Sequence, residues 1–341
     1  MKHPILGVTM GDPAGVGPEI IARAAAEPAV RRDSRPVVIG AASAMSAALA
    51  LVSSPLTLHA VKRVGDCRWA EGTLEVLDLA NVDMQTLPRG AVSAEAGRAA
   101  YDYVERAVTL AKAREIDGIV TAPINKEALA AAGMQHTGHT EILARLSDTS
   151  DFAMLLMGHE LRVIHVTTHV ALRRVPDLVT RERVLKTIRL AQRTMDGLGR
   201  RDARIAVAGL NPHAGEDGLF GDEEKTAIVP AIEAARAEGM TVTGPLPADT
   251  LFSRARGGEF DIVVAMYHDQ GHIPVKTVGF TYDEATRRWT GLSGVNVTVG
   301  LPFLRVSVDH GTAFDRAWKG IANPESMIEA IDVAVRMLAA T

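Results

Sequence analysis

Three histidines each follow an apolar run of the kind that forms a buried parallel strand: His169, His213 and His268. The carboxyl ends of parallel strands meet at one edge of a sheet, so we expect the three side chains to converge there. Three imidazoles can hold a divalent metal and leave coordination positions open for a substrate. The alternative is that each histidine is a hydrogen-bonded residue at the start of a loop.

Two acids and two cations accompany these histidines. Asp249 and Asp269 are candidates to orient a histidine, complete a metal shell or relay a proton, unless they are solvated loop acids. Lys276 and Arg305 stand beside apolar strands and suit a phosphate or carboxylate, although either could be a surface charge. A metal centre beside an anion site is therefore the hypothesis.

Two glycine-bearing segments are candidates for close approach to a ligand. Gly15-x-Gly17 is followed by Pro and Glu without a third glycine in register, so it fails as a dinucleotide-binding fingerprint. We interpret it as a strand–turn–helix that lines a cleft. In residues 308–324, Gly311 permits close backbone approach, and neighbouring polar residues offer hydrogen bonds. A helix N-terminus with an Asn-Pro turn explains that segment equally well.

Apolar runs alternate with amphipathic segments along the chain, which indicates an α/β protein with a largely parallel sheet. Predicted strands are Ile5–Thr9, Pro36–Gly40, Gly118–Ala122, Leu161–Val166, Arg204–Leu210 and the run beginning at Ile262. Predicted helices are 18–26, 43–50, 93–114, 181–198 and 223–238. Ser93 is expected to cap the third of these helices.

Composition excludes several classes of protein. The 341 residues carry 41 acidic and 37 basic side chains without a basic block, which gives no electrostatic case for nucleic acid or a membrane surface. A single cysteine, Cys67, excludes an internal disulfide. The N-terminal apolar stretch is too short for a signal peptide, so we expect a cytoplasmic protein.

Several motifs together resemble the 4-hydroxythreonine-4-phosphate dehydrogenase family of vitamin B6 biosynthesis, from Gly7 to about Ala330. These motifs are GDPAGVGPE (11–19), TAPINKEAL (121–129), HTGHTE (136–141), GLNPHAGEDG (209–218), MYHDQG (266–271), GVNVTVGLPF (294–303) and SVDHGTA (307–313). The resemblance implies an isocitrate/isopropylmalate dehydrogenase-like fold with two α/β domains around a central cleft. We place the first domain at residues 1–125 plus 300–341 and the second at residues 126–299. The resemblance also implies a homodimer with the active site near the subunit boundary.

The resemblance assigns roles to individual residues. The metal ligands are His169, His213 and His268, with one histidine expected from the partner subunit. Substrate contacts are His136, Thr137, Lys276, Asn296 and Arg305, while Asp249, Asp269 and Lys276 are the catalytic candidates. The segment resembling an NAD site supplies His310, Gly311, Thr312, Ala313, Asp315 and Asn323.

The implied reaction is hydride transfer to NAD (or NADP) from a carbon whose hydroxyl is β to a carboxylate, followed by loss of carbon dioxide. A divalent ion (Zn, Mg, Co or Mn) acts as the Lewis acid. The first substrate expected is 4-hydroxy-L-threonine 4-phosphate, giving 3-amino-2-oxopropyl phosphate. D-threonate or D-erythronate 4-phosphate is the alternative. Lys276 and Arg305 disfavour an aromatic dihydrodiol carboxylate, and the histidine trio disfavours a non-catalytic binding protein.

Two departures from the biosynthetic pattern fall between His268 and Asn296. His272-Ile273 stands where a shorter apolar run is expected, and Thr281–Gly291 is an apparent insertion. The insertion has turn residues between Tyr282 and Trp289, which predicts a β-hairpin.

Overall fold

Strands and helices alternate along most of the chain in the computed structural model, which describes residues 3–134, 138–149, 151–158, 161–284, 287–290 and 294–339. The strands are β1 (Ile5–Thr9), β2 (Arg35–Gly40), β3 (Thr57–Val61), β4 (Thr73–Asp78), β5 (Gly118–Thr121), β6 (Ala153–Met157), β7 (Arg162–His165), β8 (Ile205–Ala208), β9 (Val242–Leu246), β10 (Ile262–Ala265), β11 (Thr281–Asp283), β12 (Arg288–Thr290), β13 (Val295–Val299) and β14 (Leu304–Val308).

The helices are α1 (Gly17–Ala26), α2 (Pro28–Asp33), α3 (Ala42–Leu51), α4 (Ala94–Lys112), α5 (Lys126–Ala131), α6 (His139–Leu146), α7 (Val175–Leu178), α8 (Arg181–Gly197), α9 (Val229–Ala237), α10 (Ala248–Arg256), α11 (His268–Gly279) and α12 (Glu325–Ala339). A π-helical turn, Glu224–Ile228, runs directly into α9. None of the described helices is long and apolar enough to cross a membrane.

The chain divides into two compact units. The first contains the residues up to Asp151 together with Leu301–Ala339, and the second contains Phe152–Gly300. The boundary therefore follows Asp151 and not residue 125, because α5 and α6 pack against α4 in the first unit. Gly97 of α4 makes this packing close: a Cβ there would overlap the backbone of Ala128 in α5.

The sheet of the first unit is parallel throughout, in the order β3-β4-β2-β1-β5-β14. Every position of β5 is buried, as expected for a strand covered on both faces. Thr9 and Thr121 are register partners at the carboxyl ends of β1 and β5. The polar loops after both strands therefore begin at the same edge.

The sheet of the second unit is mixed, in the order β13-β6-β7-β10-β8-β9. Strand β6 is antiparallel to β13 and β7, whereas β7, β10, β8 and β9 are parallel. An apolar core that includes Leu156, Val163 and Val263 packs this sheet against α10 and α11. The parallel strands β7, β8 and β10 end at one edge of this sheet, and His169, His213 and His268 each follow one of them.

Two expectations about the region after β10 had different outcomes. His268 was expected at the polar carboxyl end of the strand, and it follows β10 there, but the helix that it begins, α11, was not predicted. Pro274 and Gly271 obscure this helix in the sequence because both residues disfavour helix interiors. The predicted hairpin is confirmed, since β11 pairs with β12 in antiparallel register from Thr281–Thr290 to Asp283–Arg288.

Candidate functional site

His169 and His268 lie together at the carboxyl edge of the second unit's parallel strands. Their ring centroids are 5.5 Å apart and the rings are inclined by 44°. Two imidazoles that share a tetrahedral divalent ion have centroids roughly 5 Å apart, given metal–nitrogen distances of about 2.0–2.1 Å. This pair therefore fits a shared metal.

Asp269 is the partner of the His268 ring. Its Oδ1 lies 2.7 Å from His268 Nδ1, which leaves Nε2 as the nitrogen available for a metal. Carboxylate–histidine pairs of this kind fix the tautomer and orientation of metal-binding imidazoles. Asp249, in the first turn of α10, lines the same cavity of about 470 Å³ as Asp269, with Tyr267 and Ile273 also in its wall.

His213, the third predicted ligand, lies in a segment with left-handed backbone. Residues 213–217 all have positive φ, and the His213 ring is 6.3 Å from the ring of Phe220. Among the described residues, no group of three or more His, Cys, Asp or Glu side chains is arranged to hold a metal. The structure thus brings two of the three predicted ligands together, and His213 stays a prediction.

Arg305 forms the anion-binding candidate of the first unit. It is 4% exposed, and its NH2 group donates to Thr121 Oγ1 at 2.7 Å, so the side chain reaches the carboxyl end of β5. Burial lowers the pKa of the guanidinium to about 9. A buried cation of this kind gains from a bound anion, because the anion restores the favourable environment that water provided.

His139 is a functional candidate that the sequence prediction missed. It begins α6, and its Nε2 is inaccessible and has no hydrogen-bond partner among the described residues, although the residue as a whole is half-buried. Burial, followed by the nearby charge of Arg305, lowers its pKa well below the ordinary value, so the ring is neutral. His136 and Thr137, the expected substrate residues, lie outside the described residues.

The sequence contains two His-Thr pairs, and only the second carries a helix-start pattern. Gly138 precedes His139, Glu141 lies in the first turn, and Ile142 and Leu143 are buried. That pattern predicts that His139 begins a helix and therefore has a fixed position. It could have shown that the second His-Thr pair was as good a candidate for the substrate site as the first.

Lys276 and Asn296 belong to the second unit. Lys276 is half-buried near the end of α11, with Nζ 5.9 Å from the centroid of the Phe280 ring. Asn296 is half-buried in β13 opposite Leu156 of β6. The substrate role of both side chains stays a prediction.

The predicted cofactor segment packs against the turn between β1 and α1. Val16 N donates to Thr312 O at 3.0 Å, and Trp318 Nε1 donates to Pro13 O at 3.0 Å. Gly311 is exposed, Thr312 is buried, and Ala313 has a φ of 42°. The two glycine-bearing segments of the sequence are thus neighbours.

Other members of that segment have local partners. His310 Nδ1 lies 3.0 Å from Gly311 O, and Lys319 Nζ donates to Asp315 O at 2.6 Å. Asn323 Oδ1 accepts from Glu325 N at 2.9 Å, at the first residue of α12. This contact agrees with the alternative interpretation of the segment as a helix N-terminus with an Asn-Pro turn. These contacts leave the cofactor role of the side chains as a prediction.

Asp12 is a buried acid in the turn after β1 that the sequence prediction did not single out. It is 0% exposed; Oδ1 accepts from Ala14 N at 2.8 Å, and Oδ2 has no hydrogen-bond partner among the described residues. Burial raises its pKa to about 6, against the opposing effect of the Ala14 hydrogen bond.

Comparison with known protein families identifies the chain. Residues 32–334 match the family model described as pyridoxal phosphate biosynthetic protein PdxA. The chain belongs to the PdxA family. It is therefore a dehydrogenase, in agreement with the motif resemblance, and its relatives are named as dehydrogenases of phosphorylated hydroxy acids.

Curated relatives cover nearly the whole chain. The D-threonate 4-phosphate dehydrogenase of Cupriavidus necator is 50% identical over 329 residues, which are 96% of this chain and 95% of the relative. The enzyme of the same name from Pectobacterium atrosepticum is 48% identical over 334 residues, or 98% and 99% of the two chains.

Solved structures share the fold. A 4-hydroxythreonine-4-phosphate dehydrogenase from Burkholderia phymatum is 45% identical, with a TM-score of 0.85 over 99% of both chains. A terephthalate 1,2-cis-dihydrodiol dehydrogenase from Burkholderia xenovorans LB400 is 30% identical, with a TM-score of 0.68 over 98% of both chains. The predicted α/β fold is confirmed.

Proposed function

We propose that this protein catalyses the NAD-linked, divalent-metal-dependent oxidation and decarboxylation of D-threonate 4-phosphate. The 4-phosphorylated acid is supported by the names of the relatives, and D-threonate is favoured over 4-hydroxy-L-threonine by the curated relatives at 48–50% identity. 4-Hydroxy-L-threonine 4-phosphate is the second candidate substrate, because structurally similar proteins are named 4-hydroxythreonine-4-phosphate dehydrogenases. D-erythronate 4-phosphate is the corresponding C2 epimer.

The observation that carries the proposal is the buried Arg305 beside His139. The guanidinium is permanently cationic near neutral pH, and a phosphate ester accepts its bidentate hydrogen bonds well. His139 stands at the first position of α6, where backbone N–H groups and the helix dipole also favour an anion. Together these groups suit the phosphate that distinguishes this substrate class from unphosphorylated hydroxy acids.

In this proposal His169 and His268 hold the metal, and His213 belongs to the same ligand set. The protein acts as a homodimer in which one histidine of each site comes from the partner subunit. A bound zinc, magnesium, cobalt or manganese ion would supply Lewis-acid stabilisation for negative charge on the substrate oxygens. Asp269 orients His268, which assigns it a positioning role.

Asp249 is then the acid best suited to accept a proton, since it lines the cavity and no hydrogen bond to His268 occupies it among those described. Lys276 supplies a second cation or proton donor from α11. NAD, or NADP, binds along residues 310–323 beside the β1–α1 turn. Cytoplasmic location is expected for such a metabolic enzyme.

The proposed reaction balances without a further reactant. Bound NAD would accept the hydride from C3, and the base would take the proton of the C3 hydroxyl. The resulting 3-oxo acid loses C1 as carbon dioxide, and C2 takes up a proton. D-threonate and 4-hydroxythreonine phosphates differ only in the C2 substituent, which is a hydroxyl in one and an ammonium in the other.

A substrate panel tests the proposal. NADH formation is followed with D-threonate 4-phosphate, D-erythronate 4-phosphate, 4-hydroxy-L-threonine 4-phosphate and unphosphorylated D-threonate, with and without a chelator. We expect the highest kcat/KM with D-threonate 4-phosphate, and activity that a chelator removes and a divalent ion restores. Turnover of the amino acid phosphate alone would favour the second candidate. If the metal-loaded protein turned over none of these acids, the proposed enzymatic activity would be refuted.

A further inference from the structure

Four imidazoles form a row in the second unit, which we call the histidine row: His165, His272, His268 and His169. Successive ring centroids along it are 4.8, 3.7 and 5.5 Å apart. The His268 and His272 rings are stacked, with planes only 8° apart. The row begins in the buried sheet and ends at the two proposed metal ligands.

His272 lies directly behind His268 because residues four apart share one face of α11. Its Nδ1 is 3.2 Å from His165 Nε2 and 3.1 Å from the carbonyl oxygen of His268. His165 Nδ1 is in turn 3.1 Å from the carbonyl oxygen of Met154, which can only accept. His165 therefore carries its proton on Nδ1, and the Nδ1–H of His272 donates toward the remaining nitrogen, Nε2.

Gly271 permits this arrangement. A Cβ at this position would lie 2.6 Å from Val163 Cγ1 and closer still to His165 Nε2. Any larger residue would push α11 away from β7. His165 and His272 are 0% and 6% exposed, so their pairing is enclosed by protein, whereas the His268 side chain is 37% exposed.

We propose that His272, anchored by His165, is a positioning residue that holds the plane of the His268 imidazole for metal binding. The inference rests on the proposed function, in which His268 is a ligand. Asp269 fixes the Nδ1 edge of His268, and the stacked His272 ring fixes its inner face. Without that ring, His268 could rotate about its side-chain bonds and present Nε2 away from His169.

The test measures metal binding with Co²⁺ as the probe, by titration and by the visible absorption of the bound ion, on the full-length protein. His272→Leu removes the ring and the hydrogen bond, and we expect Co²⁺ affinity to fall about 10- to 100-fold with a changed absorption band. His272→Phe keeps a stacking ring, so we expect a smaller loss. His59→Gln, at a half-buried histidine of the other unit, is the control and should bind as the unmodified protein does.

Wild-type affinity and absorption in folded His272→Leu would overturn the inference, provided that His268→Ala abolishes binding. Should His272→Leu fail to fold, judged by circular dichroism, His272→Asn takes its place, because it also lacks the ring but keeps an N–H donor: unchanged affinity and absorption in that variant would overturn the proposal. Full Co²⁺ binding by His268→Ala would instead refute the metal site of the proposed function. The two failures are therefore distinguishable.

Discussion

Replacing the buried acid Asp12 by Asn should stabilise the protein at neutral pH. In the folded chain the carboxyl pKa is raised from 3.8 to about 6 by burial. Between these two values the folded state holds more protons than the unfolded state, so the free energy of unfolding falls as pH rises. Above about pH 6 Asp12 is ionised in both states, so its effect on the free energy of unfolding no longer changes with pH.

The size of the effect follows from the pKa difference. A tenfold change in a protonation equilibrium is worth about 1.4 kcal/mol, so ionised Asp12 costs about 3 kcal/mol at pH 8. The Asn side chain resembles the protonated acid: its Oδ1 still accepts from Ala14 N, and its amide group replaces the carboxyl O–H at Oδ2. Asp12→Asn should therefore match the unmodified protein near pH 4 and exceed it by up to about 3 kcal/mol at pH 8.

Urea denaturation at pH 4 and pH 8 measures this difference, with tryptophan fluorescence as the signal. Trp318 is a local reporter because its Nε1 donates to Pro13 O beside Asp12. Asp202→Asn, at an exposed position of the other unit, is the matched control and should change neither value. An Asp12→Asn protein less stable than the unmodified one at pH 8 would refute the reasoning, because the ionised carboxylate would then have a stabilising partner.

Three further outcomes follow from the contacts described. Arg305→Lys should raise KM for a 4-phosphorylated substrate about 10- to 100-fold, since a bidentate charged hydrogen bond is lost. Steady-state kinetics with the phosphorylated and the unphosphorylated acid measure this effect. An equal loss of kcat/KM for both acids would show that Arg305 does not bind the phosphate. Asp269→Asn should weaken Co²⁺ binding about 10-fold or more, measured by titration; unchanged affinity would contradict its positioning role. Gly97→Ala should lower the free energy of unfolding by about 1–3 kcal/mol in urea denaturation, because its Cβ meets Ala128; an unchanged midpoint would show that α5 moves without cost.

Where local sequence patterns predicted an element correctly, local interactions specify that element. Strand β1 was predicted at its observed bounds, and α4 begins after Ser93, whose Oγ accepts from Ala96 N. Both are determined by apolar periodicity and capping within a few residues. The antiparallel placement of β6 between β13 and β7 was not predicted, since it depends on pairing between strands far apart in sequence.

The sequence predicted that the site lies at the carboxyl edge of the sheet, but it did not predict the side-chain contacts within the site. The rule that parallel strands share a carboxyl edge brought His169 and His268 into one hypothesis, and their rings are 5.5 Å apart. The stack of His272 on His268 depends on α11, a helix concealed by its internal glycine and proline. His139 was missed because its importance comes from burial beside Arg305, which no local pattern encodes.

The proposed phosphate contacts cannot decide between the two leading substrates, because both carry the same phosphate. Selection must act at C2, where a hydroxyl or an ammonium group stands next to the carboxylate. In the proposed metal site, a divalent ion held by neutral imidazoles would repel an ammonium more than a hydroxyl, so the proposed histidine ligands by themselves favour the hydroxy acid. Preference for the amino acid would require a nearby carboxylate, and Asp269 is already hydrogen-bonded to His268. Asp249 is therefore the residue on which a preference for the ammonium substrate would have to depend.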